Sequence, residues 1–133
     1  MRNISASLTK DQIRKSVELV RAGNPPLKDV TRRLGWKNVK VGERLQVCEK
    51  CQGLKPGEKL VRICVIEVVS KRRERLDLMQ TDLDYGFKEC QREGFGEHEA
   101  YQWPSQFVAM FCDTHKGCTP ETEITRIEFK YIV

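Results

Sequence analysis

The stretch from Lys59 to Arg72 constrains the fold more than any other part of the chain, because Val61, Ile63, Val65, Ile66, Val68 and Val69 concentrate β-branched side chains in one run. It reads as a long strand at the centre of a sheet, set off by the turn chemistry of Gly53-Leu54-Lys55-Pro56-Gly57-Glu58. A central strand needs partners. Arg2 to Leu8 alternates apolar and polar residues, Leu27 to Leu34 is β-compatible though charged, and Arg44 to Val47 is extended. At the end of the chain Ile124, Ile127, Phe129, Tyr131 and Val133 supply a last strand, with a clean period of two from Ile127.

Helices are expected between these strands. Thr9-Lys10-Asp11-Gln12 matches a capping box, and the helix it opens turns Ile13, Val17 and Val20 inward before ending at Gly23. Asn24-Pro25-Pro26 then prevents its resumption. Asp84 to Glu93 and Pro104 to Thr114 read as short helices, the second carrying Phe107, Val108 and Phe111 toward the core. The pattern predicts an α+β fold, a mixed sheet or small barrel in which the strands at the two ends of the chain pair with each other. Its 133 residues match one domain, 1–133. No apolar run approaches the roughly 18 residues needed to cross a bilayer, and Met1-Arg2-Asn3-Ile4-Ser5 does not open like a signal peptide, so the cytoplasm is the expected compartment.

Charge is unevenly distributed. Residues 1–75 carry 19 Lys and Arg against 8 Asp and Glu, and residues 76–133 carry 5 against 11, so the first part is where an anion is attracted. Its clusters are Lys28, Arg32, Arg33, Lys37, Lys40 and Arg44, then Lys71, Arg72, Arg73 and Arg75. Runs of this kind also simply keep a surface solvated. The six cysteines read as thiols, with Cys64 as a small core residue. A structural zinc is the alternative for the others: Cys48 and Cys51 form a C-x-x-C, and Cys112, His115 and Cys118 offer further ligands at irregular spacing.

Lys28-Asp29-Val30-Thr31-Arg32-Arg33, following a helix and Gly23, resembles the Gly-x-Lys-x-x-(Thr/Glu)-x-Arg signature of the ASCH family. Val41-Gly42-Glu43-Arg44-Leu45 resembles the family's turn into a strand, Arg92-Glu93-Gly94-Phe95 its Glu-Gly-Phe after a helix, and Thr125-Arg126-Ile127-Glu128-Phe129 its closing strand. The resemblance implies a PUA-like mixed β-barrel with flanking helices, RNA or a modified nucleoside as partner, no cofactor and no obligate protein partner. Some members resemble an amidohydrolase that removes the acetyl group from N4-acetylcytidine with a Lys, a Thr and a Glu, which here correspond to Lys28, Thr31 and Glu93. Two departures stand out: Asn24-Pro25-Pro26-Leu27 separates Gly23 from Lys28, and Asp29 places a carboxylate beside the lysine, where it would raise the lysine's pKa.

In that chemistry Thr31 is the nucleophile, Lys28 takes its proton, Arg33 holds the oxyanion, and Glu93 orients the lysine or passes a proton to the leaving amine. Residues three apart on a straight strand face opposite ways, so Lys28 and Thr31 converge only where the backbone bends. The alternative is a binding module without catalysis. There Arg32, Arg33, Lys37 and Arg44, with Lys28, meet phosphates, while Trp36 stacks on a base or packs in the core as Trp103 is expected to. A ribonuclease is a more distant reading, since neither a histidine pair nor an acidic metal cluster supports it.

Overall fold

The computed structural model describes residues 1–133. Its elements are β1 (Arg2–Ser5), α1 (Lys10–Arg21), β2 (Val30–Arg33), β3 (Arg44–Cys48), β4 (Arg62–Arg75), α2 (Leu78–Thr81), α3 (Leu83–Arg92), α4 (Pro104–Thr114) and β5 (Glu123–Ile132). Five strands form one curled half-barrel sheet in the order β1-β3-β4-β5-β2. The long valine-rich strand is at its centre, as its composition demands. Strand β4 extends to Arg75 because Glu74 and Arg75 find partners in Ile124 and Glu123. A register shift between Val68 and Ser70 lets β4 bend: its first half pairs with β3 and the end of β5, its second half with the start of β5.

The two ends of the chain do not pair. Strand β1 lies at one edge, parallel to β3, while β5 is interior and gives its far side to β2. With ten residues, β5 is long enough to serve β4 along its length and β2 beside it, leaving no edge for the four-residue β1. Helix α1 starts where expected, yet the Thr9 side chain makes no capping hydrogen bond. The α2 turn was not anticipated, being a single four-residue stretch.

Two apolar clusters result. Ile4, Ile13, Val17, Leu45, Val47, Ile66, Val68, Ile127 and Phe129 pack together where α1 meets the sheet. Leu76, Met79, Cys90, Phe95, Phe107, Val108, Phe111 and Ile124 hold α2, α3 and α4 against the sheet's far end. Trp103, expected in the core, is instead about half exposed at 48% and meets Phe87 edge-on at 5.7 Å. No helix is long and apolar enough to cross a membrane.

Candidate functional site

Because β1 and β2 are the two unpaired edges, the curled sheet has a gap between them, and a cavity of about 420 Å³ is lined by residues from both. Arg33, on β2, reaches toward the other edge and donates from Nη2 to the Ser5 carbonyl on β1 at 2.6 Å. The polar wall includes Lys28, Thr31, Arg32, Arg33 and Glu93; the apolar wall includes Phe95, Phe107, Met110 and Phe111, with His115 after the end of α4.

Lys28 precedes β2 in the chain and pairs with Glu93 through an isolated antiparallel bridge. Its backbone is pinned: the Ser16 hydroxyl accepts from the Lys28 amide at 3.2 Å, and Tyr131 Oη donates to the Lys28 carbonyl at 2.6 Å. The side chain folds back to donate from Nζ to the Val30 carbonyl at 2.8 Å, the Glu93 carbonyl at 2.9 Å and Glu93 Oε1 at 2.9 Å. Lys28 lies ahead of the start of β2, and Lys28 and Thr31 line the same cavity. Gly94 permits the close approach. Its φ of +97° suits glycine, and a Cβ there would lie 3.2 Å from Lys28 Cβ and from the Gln12 side chain.

Burial lowers the Lys28 pKa, with Glu93 opposing it. Asp29 does not act on Lys28 as its neighbouring position suggested. Its carboxylate is held by Arg92, which donates Nε to Oδ1 and Nη2 to Oδ2, each at 3.0 Å. Thr31 is buried and accepts from Arg33 Nε at 3.2 Å. Burial also lowers the pKa of Arg33, whose guanidinium forms no ion pair and donates to neutral acceptors.

Arg32 has a different place from the one its cluster implied. Its side chain is inaccessible to solvent. It donates from Nη1 to Glu93 Oε2 at 3.0 Å and from Nη2 to Glu89 Oε1 at 2.6 Å and Tyr85 Oη at 3.2 Å. Burial opposes its charge, but Glu93 and Glu89 outweigh that and raise its pKa. Opposite it across the β2–β5 ladder stands Arg126, which donates to both oxygens of Glu89. Two like charges in register would repel; the Glu89 carboxylate from α3 joins them. Arg32 thus belongs to an internal network that holds Glu93 under the cavity, and it is not a surface cation for phosphates.

Burial alone would raise the Glu89 carboxyl pKa, but the hydrogen bonds and charges of Arg126 and Arg32 outweigh it and hold the value at about 2. With an ordinary value of 4.5, the group adds stability above pH 4.5 that disappears as the pH falls toward 2. Urea unfolding at stepwise pH is expected to show that decline, and Glu89→Gln to start less stable and decline less across the same window.

Trp36, Lys37 and Arg44 do not line the cavity. Trp36 packs against the barrel core with the Arg2 guanidinium 4.8 Å over its ring. Lys37 is exposed, its carbonyl accepting from Lys71, and Arg44 is exposed and paired with Glu67 at 3.2 Å. The zinc ligands Cys48, Cys51, Cys112, His115 and Cys118 do not come together, because no three metal-binding side chains converge anywhere in the chain. Cys112 and Cys118 lie 3.7 Å apart, and Cys64 packs against the barrel core as expected. Sequence reading missed Glu89, Arg126 and Tyr85, and gave His115 only as a metal ligand, not as part of the cavity wall. Glu89 and Glu93, one turn apart beside Cys90 and Gly86, were the available signal that this face of α3 meets buried cations.

The elements define an α+β half-barrel whose open seam, backed by an ion-pair network, holds one mixed polar and aromatic cavity. No family model and no curated protein matches the sequence. Among solved structures, an ASCH domain from Lactobacillus crispatus JV V101 has the same fold, with a TM-score of 0.51 over 88% of this chain and 69% of that one at 16% identity. A protein from Enterococcus faecalis V583 assigned to DUF984 aligns over 96% of this chain and 74% of its own, with a TM-score of 0.47 at 12% identity. The fold is therefore that of the ASCH domain, as the signature around Lys28 implied.

Proposed function

We propose that the seam cavity binds a nucleobase, free as a nucleoside or within flexible RNA, and that the protein removes the acyl group from N4-acylated cytidine. The observation that carries this reading is the cavity's two-sided character. Its volume of about 420 Å³ lies within the usual range for small-ligand sites, and one wall is aromatic while the other gathers an amine, a hydroxyl, a guanidinium and a carboxylate. A planar base with a polar edge matches that division. The ASCH-like fold and the signature residues agree with it.

In the hydrolysis reading Thr31 Oγ1 attacks the acyl carbon. Lys28, whose pKa burial lowers, acts in its neutral form: one Nζ proton leaves for solvent with the loss of one of its three hydrogen bonds, and the freed lone pair takes the hydroxyl proton while Arg33, free of any carboxylate, donates to the oxyanion. The Lys28 ammonium then returns that proton to the departing N4 amine, and water activated by the same lysine hydrolyses the acyl ester on Thr31. Glu93 acts by position. Both its carboxylate oxygens are engaged, one by Lys28 and one by Arg32, so it orients the amine and has no proton to hand to a leaving group.

Incubating the protein with N4-acetylcytidine and following the acetyl loss by mass spectrometry tests the proposal. Turnover is expected in the wild type, with Thr31→Val and Lys28→Ala each slowing it by about 100-fold or more. Absence of turnover in the wild type removes the hydrolase; saturable binding of the nucleoside would then leave a non-catalytic module at the same seam. Because the cavity's cations are buried, nucleoside binding should change little with salt, unlike a surface dominated by phosphate contacts.

A further inference from the structure

We infer that His115 selects the base, favouring an amino-bearing cytosine over a carbonyl-bearing uracil; this rests on the nucleobase reading above. His115 follows the last residue of α4 and lines the cavity on its aromatic side. Its Nδ1 lies 2.8 Å from the Phe111 carbonyl oxygen, and a carbonyl can only accept, so the ring hydrogen of the neutral imidazole belongs to Nδ1. The imidazole lies on the Phe111 ring, centroids 4.0 Å apart and planes 13° from parallel, which fixes its orientation. Nε2 therefore carries a lone pair, and no protein group donates to it.

The charged side chains of the cavity cannot supply that function. Lys28 and Arg33 are donors, and both oxygens of Glu93 accept from Lys28 and Arg32. Cytosine carries an N–H on its exocyclic nitrogen, whether free or acylated. Uracil presents a carbonyl oxygen at the same position. A fixed acceptor lone pair attracts the first and repels the second, and a site built around such a contact discriminates between ligands of nearly equal shape.

Isothermal titration of cytidine and of uridine into the wild type, His115→Phe and His115→Ala tests this. Phenylalanine keeps a ring for the stack on Phe111 and removes both nitrogens; the ratio of the two affinities also cancels any loss of folded protein. The wild type is expected to bind cytidine about ten-fold or more tighter than uridine, and both variants to bring that ratio close to one by losing cytidine affinity. A ratio unchanged in both variants overturns the role of His115, as does a wild type that binds the two nucleosides equally. Failure of the wild type to bind either nucleoside overturns the nucleobase reading itself, and the inference with it.

Discussion

Arg32→Met is expected to cost about 3–5 kcal/mol of stability, a large part of what a domain of this size possesses. The substitution fills similar space with an apolar side chain, so packing is nearly kept while the charge is lost. What remains is Glu89 and Glu93, each 5% exposed or less at the side chain, with Arg126 and Lys28 as their respective remaining cations. Glu74 also loses the Arg32 guanidinium 3.9 Å away. Desolvated carboxylates deprived of a partner must be paid for in folding free energy or take up a proton. Urea denaturation at neutral pH measures the loss, and a loss below about 1 kcal/mol would show that the network is not a structural necessity. The variant is also expected to have a stability maximum displaced toward acid, because protonating Glu89 or Glu93 relieves the uncompensated charge.

Gly86→Ala is expected to be almost as damaging for a purely steric reason. Gly86 is buried within α3, and a Cβ there would overlap the Met79 carbonyl oxygen and lie 2.9 Å from the Met79 carbonyl carbon and 2.9 Å from Pro104 Cγ. Two of those three atoms are backbone of α2, and the third belongs to the rigid ring that opens α4, so no flexible side chain can move aside. Helix α3 must shift away from both neighbours, loosening the cluster around Met79, Phe107 and Val108 and moving Glu89 and Glu93 with it. A loss of about 3 kcal/mol follows from overpacking of this severity, despite alanine's better helix propensity. Urea unfolding distinguishes the outcomes: a variant as stable as the wild type would mean that α3 does not approach α2 this closely in solution.

Both effects belong to features that were only partly legible in the chain. The Thr9-to-Gln12 pattern ahead of α1, the β-branched centre of β4, the alternation after Ile127 and the proline that opens α4 were all local signals. They located most elements within a few residues, because periodicity reports which side of an element faces apolar surroundings. The polar residues were harder to read. Lys28, Arg32 and Arg33 look alike as a cluster, yet one is folded back onto Glu93, one is enclosed among three glutamates and a tyrosine, and one spans the seam. Their partners come from α3 and β1, far away in sequence, and no local pattern distinguishes an arginine destined for water from one destined for a carboxylate.

His115 shows the same limit. In the chain it stood between Cys112 and Cys118 and suggested a metal; in the fold its ring lies on Phe111 and its Nδ1 is tied to the Phe111 carbonyl. Trp36 and Trp103 were also ambiguous, since a large aromatic side chain carries no mark of whether it will be covered. What the sequence by itself determined was the α+β class, the order of the principal elements and the residues that resemble the ASCH signature, all of which follow from near-neighbour chemistry. Which strand edges stay apart, and so where the cavity opens and which cations are withdrawn from solvent, was decided only by the tertiary structure. Strand pairing and burial of charge depend on groups brought together across the whole chain, where the energy of each depends on the presence of the others.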